Sequence, residues 1–353
     1  MEEWSVDGEQ LLKIAGELLD IPSPTGYTQE AMTYIASHLD ACDIRYTETR
    51  KGAILAEVPG VDDERQRLVT AHVDTLGAMV KEIKSDGTLK LALVGSSVWN
   101  HLEGAYCTIL SEERQFTGTI LMRHTAVHVY KDAAEAKRDG ESMEVRLDAK
   151  VFTKGDVEAL GIAVGDFVAF DPRVQVTEEG FIKSRHLDDK ASAAVLLCWL
   201  DAYTKQDHKL PHTTHFLFSN REETGQGGSS NVNQRITEYL AVDMGALGDG
   251  QTGDEYSVSI CAQDSSGPYD LRLRRHLVKL AKAAELSYCV DIYPYYRSDA
   301  SAALTAGHDV IHGLVGPGVA ASHAFERTHE AALEATAKLL HAYLLSPLCT
   351  AEQ

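Results

Sequence analysis

The chain has 353 residues, 53 acidic side chains against 33 basic ones, and a formal net charge of -20. So negative a chain repels phosphate backbones and anionic lipid heads, which argues against nucleic-acid and membrane-surface partners. Its hydrophobic content of 44% is that of a globular protein, and the length suggests about two domains.

No apolar run approaches about 18 residues, so no bilayer-spanning helix is expected. The start, MEEWSVDGEQ, has neither a basic n-region nor an apolar h-region, so no signal peptide is expected. Cys42, Cys107, Cys198, Cys261, Cys289 and Cys349 form no CxxC pair. They read as reduced, mostly buried thiols of a cytoplasmic protein, with no disulfide framework or thiolate zinc site.

Leu11, Leu12, Ile14, Ala15, Leu18 and Leu19 fall at helical spacing and predict a helix over 9–20. A second amphipathic helix is predicted over 27–40, and 67–74 reads as a buried strand ending in AHVD. From about Lys81 to Gly180 the texture changes to short strands broken by glycine turns. KSDG-TLKLALVG, RQFTG-TILM, MEVRLDAKV, GDFVAF and EEGFIKS are the examples, and they predict a small β-barrel. The α/β rhythm then resumes with helix 189–203, strands 213–219 and 239–243, helix 269–285, strand 309–315 and helix 330–345. Apolar strands alternating with helices imply a largely parallel sheet covered on both faces. The segment before the barrel holds too few strands for a sheet of its own. The expected organisation is one α/β domain, residues 1–80 plus 180–353, interrupted by a β-rich domain at 81–179.

Five short segments carry chemistry: Ala71-His72-Val73-Asp74, Leu187-Asp188-Asp189-Lys190, Arg221-Glu222-Glu223-Thr224-Gly225, Val242-Asp243 and Ser322-His323. Each follows a strand or precedes a helix of the α/β part, and ligand sites in open α/β sheets gather at the carboxyl ends of strands. Imidazoles and carboxylates without thiolate suit zinc, cobalt or manganese. Two such ions about 3.5–4 Å apart need a carboxylate that spans both. A further carboxylate must stay off the metals to take a proton from water. Adjacent Glu222 and Glu223 can divide those tasks. Taken singly, each segment also has an ordinary reading: a hydrogen-bonded His–Asp pair, a helix cap at Asp188-Asp189, a solvated Glu-Glu turn, a turn acid at Asp243, and one histidine of 15 at His323.

In this order the segments resemble the M42 family of dinuclear metal aminopeptidases, the glutamyl and tetrahedral aminopeptidases. The motifs are AHVDTLG (71–77), LDDKAS (187–192), REETGQGG (221–228), AVDMG (241–245) and ASHAFERTH (321–329), spanning nearly the whole chain. The resemblance implies a phosphorylase/hydrolase-like mixed α/β sheet covered by helices, with an inserted small β-barrel as dimerisation domain. It implies that His72, Asp188 and Asp243 hold one divalent metal ion and that Asp188, Glu223 and His323 hold the other. Asp188 would bridge them, followed by a cis peptide bond; Asp74 would orient His72; Glu222 would be the general base.

It further implies short peptide substrates and a homo-oligomer built from dimers, up to a tetrahedral dodecamer. Thr75 replaces the glutamate of many members, and REETG replaces QEEVG. DSSGPYD (264–270) and YYRSDASAA (295–303) resemble more closely a subgroup associated with osmoprotectant dipeptide loci. Three other functions compete with peptide hydrolysis: a metal-dependent amidase or deacylase acting on a blocked dipeptide or small amide, a glycosidase using Glu222 and Glu223, whose adjacency poorly supplies carboxylates on opposing walls, and a weakly active assembly protein.

Three further features carry less. Gly248, Gly250 and Gly253 fit GxGxxG, but EYSVSIC (255–261) after them reads as a strand, so no helix N-terminus awaits a pyrophosphate. His208, His212 and His215 read as a solvated turn before a strand. Arg297 and Asp299 either contact substrate or pair structurally.

Overall fold

The computed structural model describes residues 6–349. Residues 1–5, half of the acidic start from which no leader is expected, lie outside that range. Ten strands form the main sheet. At its centre four strands run parallel, in the spatial order Leu210–Ser219, Gly60–His72, Ile236–Val242 and Ile311–Val319. Ile54–Val58 and Val258–Asp264 flank them antiparallel, so the sheet is mixed.

Side chains alternate along the parallel strands and divide the core. Val69, Phe216, Phe218, Leu240 and Val242 turn to one face, packed against helices Gly8–Asp20, Leu187–Thr204 and Glu330–Leu344. Leu68, Leu217, Tyr239 and Ala241 turn to the other, against Ala300 and Ala303 of the short helix Asp299–Thr305. The first helix is capped by Asp7, whose carboxylate accepts the Gln10 N–H at 3.0 Å, and it buries Leu11, Ile14, Ala15, Leu18 and Leu19 as their spacing predicts. Helix Leu187–Thr204 is buried without interruption from Leu187 to Leu200, as befits a helix enclosed on all sides. Its Trp199 stacks on Phe216 with ring centroids 5.5 Å apart; truncating such a core aromatic typically costs about 3–5 kcal/mol.

After Gly60–His72 the chain leaves the sheet for a closed six-stranded barrel. In spatial order its strands are Gly77–Ile83, Leu89–Val94, Met143–Leu147, Gln115–Met122, Tyr106–Leu110 and Phe167–Phe170. The barrel has its own core, including Leu89, Ile109, Ile120, Val145 and Val168. Phe181–Ser184, grouped by its sequence with the barrel strands, pairs instead with Glu326–His329 near the far end of the chain. Alternation identifies a strand but not its partner, and here the partner is distant in sequence. Strand Tyr288–Ile292 and helix Asp299–Thr305 have no counterpart in the sequence reading; at 5 and 7 residues they are too short to show a clear period. Among the described residues no helix is long and apolar enough to cross a membrane.

Candidate metal centre

Because the four central strands are parallel, their carboxyl ends open on one side of the sheet. Gly60–His72 ends on His72, Leu210–Ser219 leads into Glu222 and Glu223, Ile236–Val242 into Asp243, and Ile311–Val319 into His323. Asp188 enters from the first turn of Leu187–Thr204, where Asp188 and Asp189 depart from helical φ/ψ and are joined by a cis peptide bond. All the residues named from the motifs therefore meet in one place.

His72 Nε2 lies 3.1 Å from Asp188 Oδ1, 3.7 Å from Glu222 Oε2 and 3.9 Å from Asp243 Oδ2. His323 Nε2 lies 3.4 Å from Asp188 Oδ2 and 3.6 Å from Glu223 Oε2. The two glutamates thus face different histidines. Glu222 is the more open, with 14% of its side chain exposed against 4% for Glu223. One ligand atom from each of His72, Asp188 and Asp243 lies within 4.8 Å of the others, a spacing that can hold a metal ion.

The His72 ring is set by its other nitrogen. Nδ1 is 2.9 Å from the main-chain carbonyl of Asp74, and a carbonyl only accepts, so Nδ1 carries the proton. In the neutral ring the Nε2 lone pair then points at carboxylate oxygens. That arrangement is repulsive unless a proton or a cation stands between them.

The charges say the same. Burial, reinforced by the Asp188 charge, pushes Asp243 up to about 7 and Glu223 up to about 8. Burial holds Glu222 well above the usual carboxylate range, and Asp243 and Asp299 add to this against the pull of His72. Asp188 goes the other way: burial opposes its charge, but hydrogen bonds with His323 and His72 keep it below the ordinary value. Buried carboxylates outnumber the two imidazoles, and such a cluster is expensive unless cations neutralise it. An imidazole and carboxylate set without thiolate fits divalent zinc, cobalt or manganese.

Residues 52–339 match the M42 glutamyl aminopeptidase family. The chain belongs to the M42 peptidase family. It is 57% identical to the aminopeptidase candidate YhfE of Bacillus subtilis (strain 168) over 338 residues, 96% of this chain and 98% of that protein. Aminopeptidase APDkam598 from the archaeon Desulfurococcus kamchatkensis shares the fold with a TM-score of 0.86 at 19% identity, over 96% of each chain. So does the Pyrococcus horikoshii TET1 peptidase, which can assemble into a tetrahedron or a large octahedral shell; its TM-score is 0.84 at 20% identity, over 96% of this chain and 100% of that one. As an M42 member the chain is a peptide hydrolase of the aminopeptidase class.

Several supports of this M42 site escape sequence reasoning. The Asp74 carboxylate stands within ion-pair distance of His72, its Oδ1 being 3.6 Å from Nδ1, and it also accepts the N–H groups of Glu222 and Glu223. Glu326, buried, accepts the Asp188 N–H at 3.1 Å and the His323 N–H at 3.0 Å. Its only signal is strand parity: Glu326 and Thr328 take the inward positions of Glu326–His329. Ser96 reaches His323 Nδ1 at 3.1 Å from a barrel loop, a contact with no local signature. Gly225, with φ 73°, closes the Glu222–Thr224 turn in a left-handed conformation that glycine adopts freely.

Asp299 and Arg297 do not pair with each other in hydrogen-bond contact. Asp299 accepts from Ser219, from Thr70 at 3.3 Å and from the Gly228 N–H at 2.6 Å, while Arg297 donates to Thr305 at 3.0 Å. The histidine group is also corrected. His212 and His215 are buried within Leu210–Ser219, bonded to the Arg65 carbonyl at 3.1 Å and to Gln66 Oε1 at 2.8 Å, because that strand begins earlier than its apolar run. In the GxGxxG loop the Thr252 and Gly253 N–H groups are each 2.9 Å from Asp291 oxygens, so a protein carboxylate takes the place a phosphate would need.

Proposed function

We propose that this M42 enzyme is a two-metal aminopeptidase that removes N-terminal residues from short peptides. The observation that carries this reading is the division of one carboxylate: Asp188 Oδ1 faces His72 at 3.1 Å and Oδ2 faces His323 at 3.4 Å. A shared anion of this kind suits a bridge, because it offsets the repulsion between two cations. His72, Asp188 and Asp243 would hold one ion; Asp188, Glu223 and His323 would hold the other. When bound, the ions would acidify a water molecule and polarise the scissile carbonyl.

The rest of the work falls to the chain. The Asp74 carbonyl keeps the proton on His72 Nδ1, which leaves Nε2 free as a ligand. Glu222, the more open glutamate and one whose burial raises its proton affinity, accepts the proton of the attacking water and delivers it to the leaving amine. Asp74 holds that glutamate in place through its N–H.

Cleavage of Leu-, Glu- and Lys-p-nitroanilides and short unblocked peptides, assayed with zinc, cobalt and manganese, tests the reading. Activity should vanish on chelation and return with metal. Glu222→Gln should keep its metal and lose about 10²–10⁴ in rate. Metal-replete protein inert on every unblocked peptide would overturn the reading.

The inserted domain, expected at residues 81–179 between the catalytic segments 1–80 and 180–353 and built on the barrel that opens with strand Gly77–Ile83, is proposed as the dimerisation domain of a homo-oligomer, up to a dodecamer like that of PhTET1. Support comes from apolar side chains exposed on the barrel, Val127 (71%), Val129 (71%) and Phe152 (70%). A wild-type particle of monomer mass by light scattering would refute the assembly. Six unpaired thiols support a cytoplasmic location.

A further inference from the structure

The two histidines of the centre are oriented by different parts of the chain. His72 has its Nδ1 on the carbonyl of Asp74, two residues further along the same strand end. For His323 the corresponding partner comes from the inserted barrel. After strand Leu89–Val94 the chain leaves the barrel wall and returns to strand Tyr106–Leu110 through a short helical turn at Trp99–His101. On the way Ser96 Oγ stands 3.1 Å from His323 Nδ1, and His101 Nδ1 stands 3.3 Å from the His323 carbonyl oxygen. A Cβ on Gly95 would lie 3.6 Å from Glu223 Oε2, so the backbone of this loop runs beside the glutamate as well. Glu223 and His323 are the two side chains assigned to the second ion alone.

His323 needs support that His72 does not. It sits in a turn, at φ 62°, a left-handed conformation that a residue with a side chain adopts only when its surroundings hold it. Its side chain is 29% exposed against 1% for His72, so packing alone does not fix the ring. Arg185 secures the barrel loop against this turn. Its buried guanidinium donates to the His101 carbonyl at 2.8 Å and to the Ala324 carbonyl at 3.1 Å, from a position three residues before Asp188. If His323 Nε2 is to bind a metal ion its lone pair must be free, so Nδ1 carries the proton and the Ser96 oxygen accepts it.

We propose that Ser96 is a positioning residue of the metal centre: by accepting the His323 Nδ1–H it fixes the tautomer and the direction of the ring, and thereby sets the affinity for the ion assigned to Asp188, Glu223 and His323. His101, donating to the His323 carbonyl, and Arg185, bonded to both loops, keep Ser96 within reach. The inference rests on the two-metal reading above and adds to it a task for the inserted barrel: the α/β domain orients the histidine of one ion, and the barrel orients the histidine of the other. Without the Ser96 oxygen the half-open ring populates orientations that turn Nε2 away from Asp188 and Glu223. The ligands remain, but affinity falls because the ring must be ordered when the ion binds.

Ser96 is exposed, so Ser96→Ala removes the acceptor without opening a cavity, and Ser96→Thr keeps a hydroxyl. In calorimetric zinc titrations of the metal-free full chain, the wild type should take up two equivalents. Ser96→Ala should bind the ion at His323 about 10–100-fold more weakly, the usual loss for such a partner, and Ser96→Thr should recover most of that loss. In the cobalt-substituted protein the visible absorption, which reports coordination, should change in Ser96→Ala and return in Ser96→Thr. His101→Phe should weaken the same ion in the same direction. A two-equivalent wild type whose Ser96→Ala variant binds both ions as before would overturn the proposal and leave the two-metal reading standing. Equal losses in the alanine and threonine variants would assign the effect to loop packing, which also overturns it. A wild type that takes up fewer than two equivalents would overturn the two-metal reading, and this inference with it.

Discussion

Asp74 Oδ1 accepts the main-chain N–H of Glu222 at 3.1 Å. The same carboxylate takes the Glu223 N–H at 3.3 Å and the Thr25 hydroxyl at 2.7 Å, so the end of one parallel strand holds the turn that follows its neighbour. An amide at this position keeps a single acceptor oxygen and turns an NH2 group toward a backbone donor. Asp74→Asn is therefore expected to lower kcat about 10–100-fold, the usual scale for a lost outer-shell partner. Steady-state kinetics beside metal content checks this; wild-type kinetics would mean the turn is held by other contacts.

Glu326 ties together two residues of the centre that come from opposite parts of the chain. One oxygen serves the Asp188 N–H and the other the His323 N–H, and His323 itself sits at φ 62°. Glu326→Gln leaves one of those N–H groups facing an NH2. On the two-metal reading proposed above, affinity for the ion held by Asp188, Glu223 and His323 should weaken about 10–100-fold by calorimetry. Metal binding unchanged from the wild type would contradict the assignment.

Gly228 lies so close to the Asp299 main-chain carbonyl that a Cβ would overlap it, and its N–H is bonded to the Asp299 carboxylate. Gly228→Ala should destabilise the protein by about 1–3 kcal/mol and lower activity by moving the segment that follows Glu222. Gly248, where a Cβ would meet nothing within 4 Å, provides the control, and Gly248→Ala should be near neutral. Urea midpoints of the two variants decide the point.

Acid stability should depend on a histidine outside the candidate metal centre. The Trp199 indole N–H donates to His341 Nδ1 at 3.3 Å, and burial, with the His208 charge adding, pushes His341 from 6.5 down to about 4. With the folded pKa below the unfolded one, its contribution is intact above about 6.5 and is lost as the pH falls through about 4. His341→Gln keeps an acceptor and does not titrate. The stability difference between variant and wild type should therefore shift in the variant's favour across that window in urea titrations; a difference independent of pH would contradict the linkage.

Much of the fold was legible because its signals are local. Helix Gly8–Asp20 and helix Glu330–Leu344 repeat their apolar residues every turn, and the parallel strands are apolar runs bounded by polar turns. The strand-end motifs named the residues around His72 and His323, since a parallel sheet leaves its carboxyl ends open on one side. Phe181–Ser184 shows the limit: its alternation was readable, its pairing with Glu326–His329 was not.

Composition and periodicity by themselves pointed to the α/β class and the interrupting barrel, and the resemblance of the ordered motifs to M42 aminopeptidases named the candidate ligands. Only the tertiary structure decided what surrounds those ligands: the Asp74 carbonyl on His72, Glu326 beneath Asp188 and His323, and Ser96 arriving from the barrel. Periodicity records which face of an element is buried. A hydrogen bond between residues hundreds of positions apart depends on how elements pack, and nothing in the neighbouring sequence reports it.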